Sequence, residues 1–280
     1  MGRIAAIVAL VLAAVATLLY PSVSGYLAQR HGSAAIQSYA ETVAALDSAT
    51  LGAAWQAAEE YNESLTGSPV HDPFVPGSGM AMADDYRDVL NIDGIMGYLD
   101  IPRIGVHLPI YHGTSDAVLQ NGIGHLEGAT LPIGGLTRHT VLTGHTGLPH
   151  ARLLTDLVEV VRGDQFYLSV LGRTLAYQVD QILVVQPENT AELRRFEGRD
   201  YATLLTCTPY GVNSHRLLVR GVRVDYQPEA RAAIAPIHGS ATDHLVRRAA
   251  VVSTGVMGGL VILVALVRRR RDDTPRRRRP

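Results

Sequence analysis

The chain of 280 residues contains no lysine: all 25 of its basic side chains are arginine, a choice that an Arg-, Ala- and Gly-rich coding bias accounts for. Cysteine occurs once, at Cys207. That excludes an intrachain disulfide framework and a metal site built from several cysteines. The body of the sequence also lacks basic clusters. Residues 4–246 hold 14 Arg against 24 Asp and Glu, a net of −10. A nucleic-acid partner, whose phosphates need Lys or Arg on the recognition surface, is therefore not expected. Charged residues make up 18% and hydrophobic ones 47%, too apolar a balance for a disordered chain.

The positive charge that is present lies at the ends. Residues 268–280 hold eight Arg and two Asp, and Arg3, Arg247 and Arg248 supply three more charges, so the overall −1 is a cancellation. Two long uncharged runs adjoin these arginines: Ile4 to Tyr20, 17 residues, and Ala249 to Val267, 19 residues. At about 1.5 Å per residue, about 20 helical residues cross a hydrocarbon core of roughly 30 Å. The second run reads as a transmembrane helix, and Gly255, Gly258 and Gly259 suit a helix in lipid. The first reads either as an uncleaved anchor or as a secretory signal, because Ser22, Ser24 and Gly25 follow it. Positive residues beside a span stay cytoplasmic, so the arginine tail and Arg3 place both ends inside and the intervening domain outside. Arg247 and Arg248 lie on the wrong side for this rule, two charges against eight.

Between the runs the texture changes twice. Ile36, Tyr39, Ala40 and Val43 recur at helical spacing, and Leu51, Trp55 and Ala58 continue it after Ser48, so residues 26–66 read as one or two membrane-proximal helices. Gly67 to Gly79 (GSPVHDPFVPGSG) carries three prolines and forms neither helix nor central strand. Its oddity is Phe74, one of only three Phe, set where a plain linker is polar. From Ile95 short runs of branched and aromatic residues alternate with Gly, Pro and Asp: Met96–Ile101, Val106–Ile110, Thr140–Thr143, Gln165–Val170, Thr174–Val185, Ala202–Thr206 and Leu217–Tyr226. Seven or eight strands in this span predict a mainly β fold, an antiparallel-rich barrel or sandwich. Asp116–Gln120 and Glu188–Phe196 read as short connecting helices, and residues 227–248 as a linker to the second span.

Cys207 ends the apolar stretch Thr203-Leu204-Leu205-Thr206-Cys207 and is followed by a Pro/Gly turn, which puts its side chain at a sheet edge. By itself it is either a buried inert residue or a reactive thiol. Arg216 opens the next apolar run, and two strands joined by a loop of this length can set the two residues side by side. A guanidinium there favours the thiolate and can hydrogen-bond a developing oxyanion. A thiol nucleophile also needs a proton-transfer partner. Spacing does not choose among the 11 histidines. His145, where a strand meets a glycine loop in Thr143-Gly144-His145-Thr146-Gly147, is well placed, whereas His215 is adjacent to Arg216 but points to the opposite face of a strand.

TLLTC ending at Cys207, the TPYGVNSHRLLVRG that follows it, and VLTGHTGLP around His145 together resemble the sortases. NIDGIMGYLDIPRIGVHLPIYHGTS and GIGHLEGATLPIGG extend the resemblance over residues 91–226. Asp72-Pro73-Phe74 is similar to the Asp-Pro-aromatic lid of class C, the pilin-polymerising sortases, a class that also carries a second transmembrane helix. Thr146 stands where class C members often have a basic residue, and Ser214 where Thr is frequent.

The resemblance implies an eight-stranded β-barrel over residues 81–226 with N-terminal helices and short connecting helices. Two transmembrane helices flank it, an anchor or signal over 1–25 and a span over 249–267, with a lid over 67–80 and a cytoplasmic tail over 268–280. It implies Cys207 as nucleophile, His145 as acid/base and Arg216 as oxyanion stabiliser, with Asp72 turned towards Arg216 and Phe74 over Cys207. The activity implied is a transpeptidase that cuts an LPxTG-like signal between Thr and Gly and joins the acyl group to a lysine amine of another secreted pilin. No metal or redox cofactor is needed for it. The partners it implies are secreted pilins with C-terminal sorting signals and the cell membrane, with a peptidoglycan precursor as a further candidate. Two other readings remain at this point: a sortase that anchors surface proteins to peptidoglycan, and a membrane-tethered β-domain that only binds or displays. Finally, an enzyme that carries a thioester awaiting a lysine amine has, in this chain, no ε-amine of its own to acylate.

Overall fold

The computed structural model describes residues 2–65, 70–74, 85–148, 151–237, 247–256 and 258–259. Eight strands close into a barrel: β1 (Gly97–Ile101), β2 (Val106–His112), β3 (Ile123–His125), β4 (Arg138–Thr143), β5 (Gln165–Val170), β6 (Arg173–Val185), β7 (Asp200–Thr208) and β8 (His215–Val224). Their order around the barrel is β1-β2-β3-β4-β7-β8-β6-β5. Among these strands only β2–β3 and β4–β7 are parallel neighbours. The barrel is thus antiparallel-rich, and the parallel β4–β7 pair will matter for the site.

Packing on both faces explains why β7 reads as a near-continuous apolar run. All seven of its interior positions are buried. Strand residues alternate between faces, and the two faces belong to different clusters. Leu142, Ala202, Leu204, Leu217 and Val219 point into the main core. Val141, Leu205 and Leu218 point the other way, into a second cluster with Leu126, Ala129 and Leu193. That outer face carries the site.

Two helices precede the barrel, α1 (Gly2–Ala45) and α2 (Ser48–Ser64). Ile36, Tyr39 and Val43 of α1 are buried against the barrel, while Ala40, read as part of the same face, is exposed. The Tyr39 hydroxyl donates to the Met96 carbonyl at 3.1 Å and accepts from the Leu171 amide at 2.7 Å, which docks the helix on two strand ends. Asp47 caps α2 by accepting from the Thr50 amide. Ala58 and Tyr61 of α2 enter the main core, and Asn62 Oδ1 accepts from the Leu131 amide at 2.7 Å. The N-terminal apolar run and the first membrane-proximal helix are one helix, with Pro21 inside it; the boundary expected near residue 25 is not a structural break. A lone Gly25 disfavours helix by only about 1 kcal/mol, too little to end one of this length. Part of α1, within Ala9–Ala45, is long and apolar enough to cross a membrane, and none of that apolar window is buried.

Three connections differ from expectation. Glu188–Phe196 forms only a 3-10 turn at Ala191–Leu193. Leu193 alone in that turn is buried and Arg194 is extended, so no apolar face exists to hold a longer helix. β3 adds a strand that its short Gly-flanked sequence hid. The segment read as a linker begins with a helix, α4 (Pro228–Ala233), numbered after the short α3 (Asp116–Leu119) that the sequence did predict. Arg231 ties α4 to the barrel by donating to Asp100 at 2.8 Å and lying 5.1 Å above the Tyr167 ring. Asp100 also accepts from His107 Nδ1 at 2.5 Å, so its buried carboxylate is held from two sides. Of the expected loop over 67–80 and span over 249–267, residues 70–74, 249–256 and 258–259 are described, the last two stretches as helix. The remainder of both, and the arginine tail, lie outside the described residues.

Candidate active site

The sheet register assembles the site. β7 and β8 are antiparallel, and Cys207 pairs directly with Arg216. Directly opposed residues put their side chains on the same face, with Cβ atoms about 5 Å apart. β4 and β7 are parallel, with Thr143 opposite Leu205. Continued two residues past this last pair, the same register would set His145 beside Cys207. Parity agrees: His145 continues the face of Val141, and Cys207 that of Leu205.

Local bonds hold the end of β4 in this position. The Gly144 amide donates to the Leu205 carbonyl at 3.2 Å. The Thr206 hydroxyl, on the opposite face of β7 from Cys207, donates to the Gly144 carbonyl at 2.7 Å. A Cβ on Gly144 would stand 2.8 Å from Ile123 Cδ1 and 3.1 Å from Leu154 Cδ1, so a larger residue here would have to push those side chains aside. The next turn is fixed by the Gly147 amide donating to Thr155 Oγ1 at 3.1 Å. Neither Thr206 nor these loop contacts were singled out from sequence, although Thr206 sits inside the TLLTC motif.

Asp72, Pro73 and Phe74 lie across this face. Asp72 Oδ1 accepts from the Phe74 amide at 2.7 Å, an Asx turn that presents the aromatic ring. Its other oxygen accepts from Arg216 Nε at 2.5 Å, and both side chains are buried. The Phe74 ring lies 5.4 Å from the His145 ring and 5.2 Å from the Arg216 guanidinium. Val70 and Phe74 complete the second cluster against Leu193, Leu205 and Leu218. Arg216 also donates through Nη1 to the Asn213 and His215 carbonyls at 3.1 and 3.2 Å. The guanidinium is therefore clamped between its own loop and the Asp72 carboxylate.

Cys207 is only 8% exposed. Burial pushes its thiol pKa up; the Arg216 charge pulls it down, and the Asp72 charge adds to the rise. Asp72 thus acts on the thiol twice, once directly and once by engaging the guanidinium that opposes the rise. With Asp72 in place the neutral thiol is favoured; loss of its charge would remove one of the causes that raise the thiol pKa and leave the Arg216 charge that lowers it.

Residues 99–224 match the sortase domain family. Sortase C of Streptococcus pneumoniae, whose structure is described in terms of catalysis and pilin substrate specificity, shares 47% identity at a TM-score of 0.64, covering 68% of this chain and 96% of that one. Sortase C1 of GBS pilus island 1 shares 43% at a TM-score of 0.65, over 70% of this chain and 94% of that one. Sortase D of Bacillus subtilis (strain 168) is 28% identical over 131 residues, 46% of this chain. The chain spans 63% of the length of that curated relative. With a closed eight-stranded barrel and solved neighbours at these identities, the chain belongs to the sortase family and groups with its class C members.

Proposed function

We propose that the protein is a membrane-anchored cysteine transpeptidase that polymerises pilins, with Cys207 as nucleophile, His145 as acid/base and Arg216 as oxyanion donor. The observation that carries this reading is the register: one antiparallel pair sets Arg216 against Cys207, and the parallel β4–β7 pair, continued two residues past Thr143 and Leu205, would set His145 on its other side. Release of Asp72 frees the guanidinium. The Cys207 thiolate then attacks the Thr–Gly carbonyl of an LPxTG-like sorting signal, and Arg216 hydrogen-bonds the oxyanion. His145 protonates the departing glycine amine, leaving a thioester on Cys207. A lysine amine of the next pilin attacks that thioester, its proton passes to His145, and an isopeptide bond replaces the C–S bond. Polymerisation is favoured over anchoring to peptidoglycan because the class C neighbours share 43–47% identity, against 26–28% for sortases A and D.

The apolar part of α1 supports membrane anchoring. We place the barrel outside and the arginine tail in the cytoplasm, following the charge asymmetry. Tethering then confines enzyme and membrane-held pilins to one thin layer and raises their effective concentration. Intact-mass measurement of the full chain with an LPxTG-like peptide tests the chemistry: the acyl adduct is expected on Cys207 and is lost in Cys207→Ala. In cells, covalent high-mass pilin ladders that persist in Cys207→Ala, with no other sortase present, would sink the reading.

A further inference from the structure

The transpeptidase reading needs two substrates in sequence, and the closed face accounts for one. Asp72 and Phe74 cover Arg216 and the apolar cluster of Leu193, Leu205 and Leu218, so what displaces them occupies that side. Another margin of the site is the β7–β8 loop, between Thr208 and His215. It turns tightly, the Val212 and Asn213 amides donating to the Pro209 carbonyl at 3.1 and 2.9 Å. At its crown Tyr210 is 70% exposed, although the lid is shut.

Tyr210 is exposed but placed. Its ring lies on Gly147, two residues beyond His145, where an added Cβ would stand 3.2 Å from Tyr210 Cε2. Gly147 is at φ +76°, a conformation glycine adopts without strain, and Thr155 holds its amide. One side of the ring thus rests on the turn that carries His145, and the other faces solvent. An aromatic face held beside a proton acceptor suits a chain that is cationic at its tip and apolar along its stem.

We propose that the exposed face of Tyr210 receives the acceptor lysine side chain, guiding its ε-nitrogen to the Cys207 thioester on the His145 side; this rests on the transpeptidase reading. The ring attracts the ammonium and packs on the methylene stem. After loss of one proton to solvent the neutral amine attacks the thioester carbon. The C–N bond forms, the C–S bond breaks, and the second proton passes through His145 to the departing thiolate. The acidic body, net −10 over residues 4–246, draws a cationic acceptor towards the enzyme. The chain's own sequence offers no lysine to compete for the ring.

The test uses the full chain in detergent, an LPxTG-like donor peptide and two acceptors, a lysine peptide and hydroxylamine. Hydroxylamine is a small neutral nucleophile with no stem or cation to rest on a ring. Tyr210→Ala is expected to lower transfer to lysine relative to hydroxylamine by about three- to tenfold, mainly through KM for the lysine peptide. Tyr210→Phe keeps the wild-type ratio. A ratio in Tyr210→Ala equal to wild type overturns the proposal, including the case in which both acceptors slow together, which would assign Tyr210 to holding the Gly147 turn. Failure of the underlying reading looks different: the wild type would then show no acyl adduct on Cys207 with the donor alone.

Discussion

Thr206 works on the far side of the strand from Cys207, the residue it precedes. Its hydroxyl is buried and donates to the carbonyl of Gly144, the residue before His145. One side chain therefore ties the strand end that carries the thiol to the one that carries the imidazole. Thr206→Val keeps the shape but leaves the carbonyl without this donor, at a cost of about 1–3 kcal/mol. We expect a lower melting temperature and a kcat reduced about tenfold with KM for the donor peptide held, because the loss is one of alignment. Thr206→Ser should restore both, and steady-state kinetics with thermal melts checks it. An unchanged kcat would remove Thr206 from the positioning of His145. The motif TLLTC was legible in sequence, as was the neighbourhood of Cys207 and Arg216, since a short loop joins their strands. The Thr206–Gly144 bond was not, because it spans 62 positions and depends on a parallel pairing that no local pattern reveals.

At the scale of elements, we propose that the segment Asp72–Phe74 is a stopper rather than a linker. Phe74 stood out in the sequence because an aromatic between prolines has no use in solvent; the second cluster shows what its ring covers. What the sequence left dark were elements fixed by partners distant along the chain. β3 is three residues long and exists because β2 and β4 flank it. Glu188–Phe196 carries helix-forming residues, yet its Arg194 carbonyl is taken by His139 Nδ1 at 2.7 Å, which pins the chain in an extended form. For the stopper, the direction in which the thiol is displaced sets the prediction. Asp72→Ala with Phe74→Ala removes burial and a negative charge, both of which raise the Cys207 pKa, and keeps Arg216, which lowers it. The thiolate fraction at neutral pH should rise, about tenfold for every pH unit by which the thiol pKa falls. Alkylation by iodoacetamide is therefore expected to speed up about tenfold or more at pH 7, with the midpoint of its pH–rate curve moved down. Equal rates in the double variant and the wild type would end the gating idea.

The molecule as a whole divides into an acidic body with apolar and basic ends, and its net charge of −1 describes none of these parts. The body's response to acid follows from histidines that the chemistry does not use. His125 is fully buried: its Nε2–H donates to the Thr130 carbonyl at 2.9 Å, and Nδ1 accepts from the Tyr86 hydroxyl at 2.8 Å. His139 is held likewise, donating from Nδ1 to the Arg194 carbonyl and accepting at Nε2 from Thr203 Oγ1 at 2.7 Å. Both rings are satisfied only while neutral, and burial lowers both pKa values to about 4. Burial lowers His112 as well. In the unfolded chain histidine titrates near 6.5, so between about 6.5 and 4 the unfolded state binds protons that the barrel refuses. The contribution is full above about pH 6.5 and is lost as pH falls towards about 4. Each ring should cost roughly 2 kcal/mol of stability by about pH 5, together a large share of the roughly 5–15 kcal/mol typical of a domain. Urea unfolding of the full chain in detergent should thus show its midpoint falling steeply from about pH 7 to about pH 5. His125→Gln with His139→Gln should begin less stable at neutral pH and fall along a shallower slope. A slope equal to that of the wild type would mean that other groups govern the acid response, and that the two rings are already protonated, or exposed, in the native barrel.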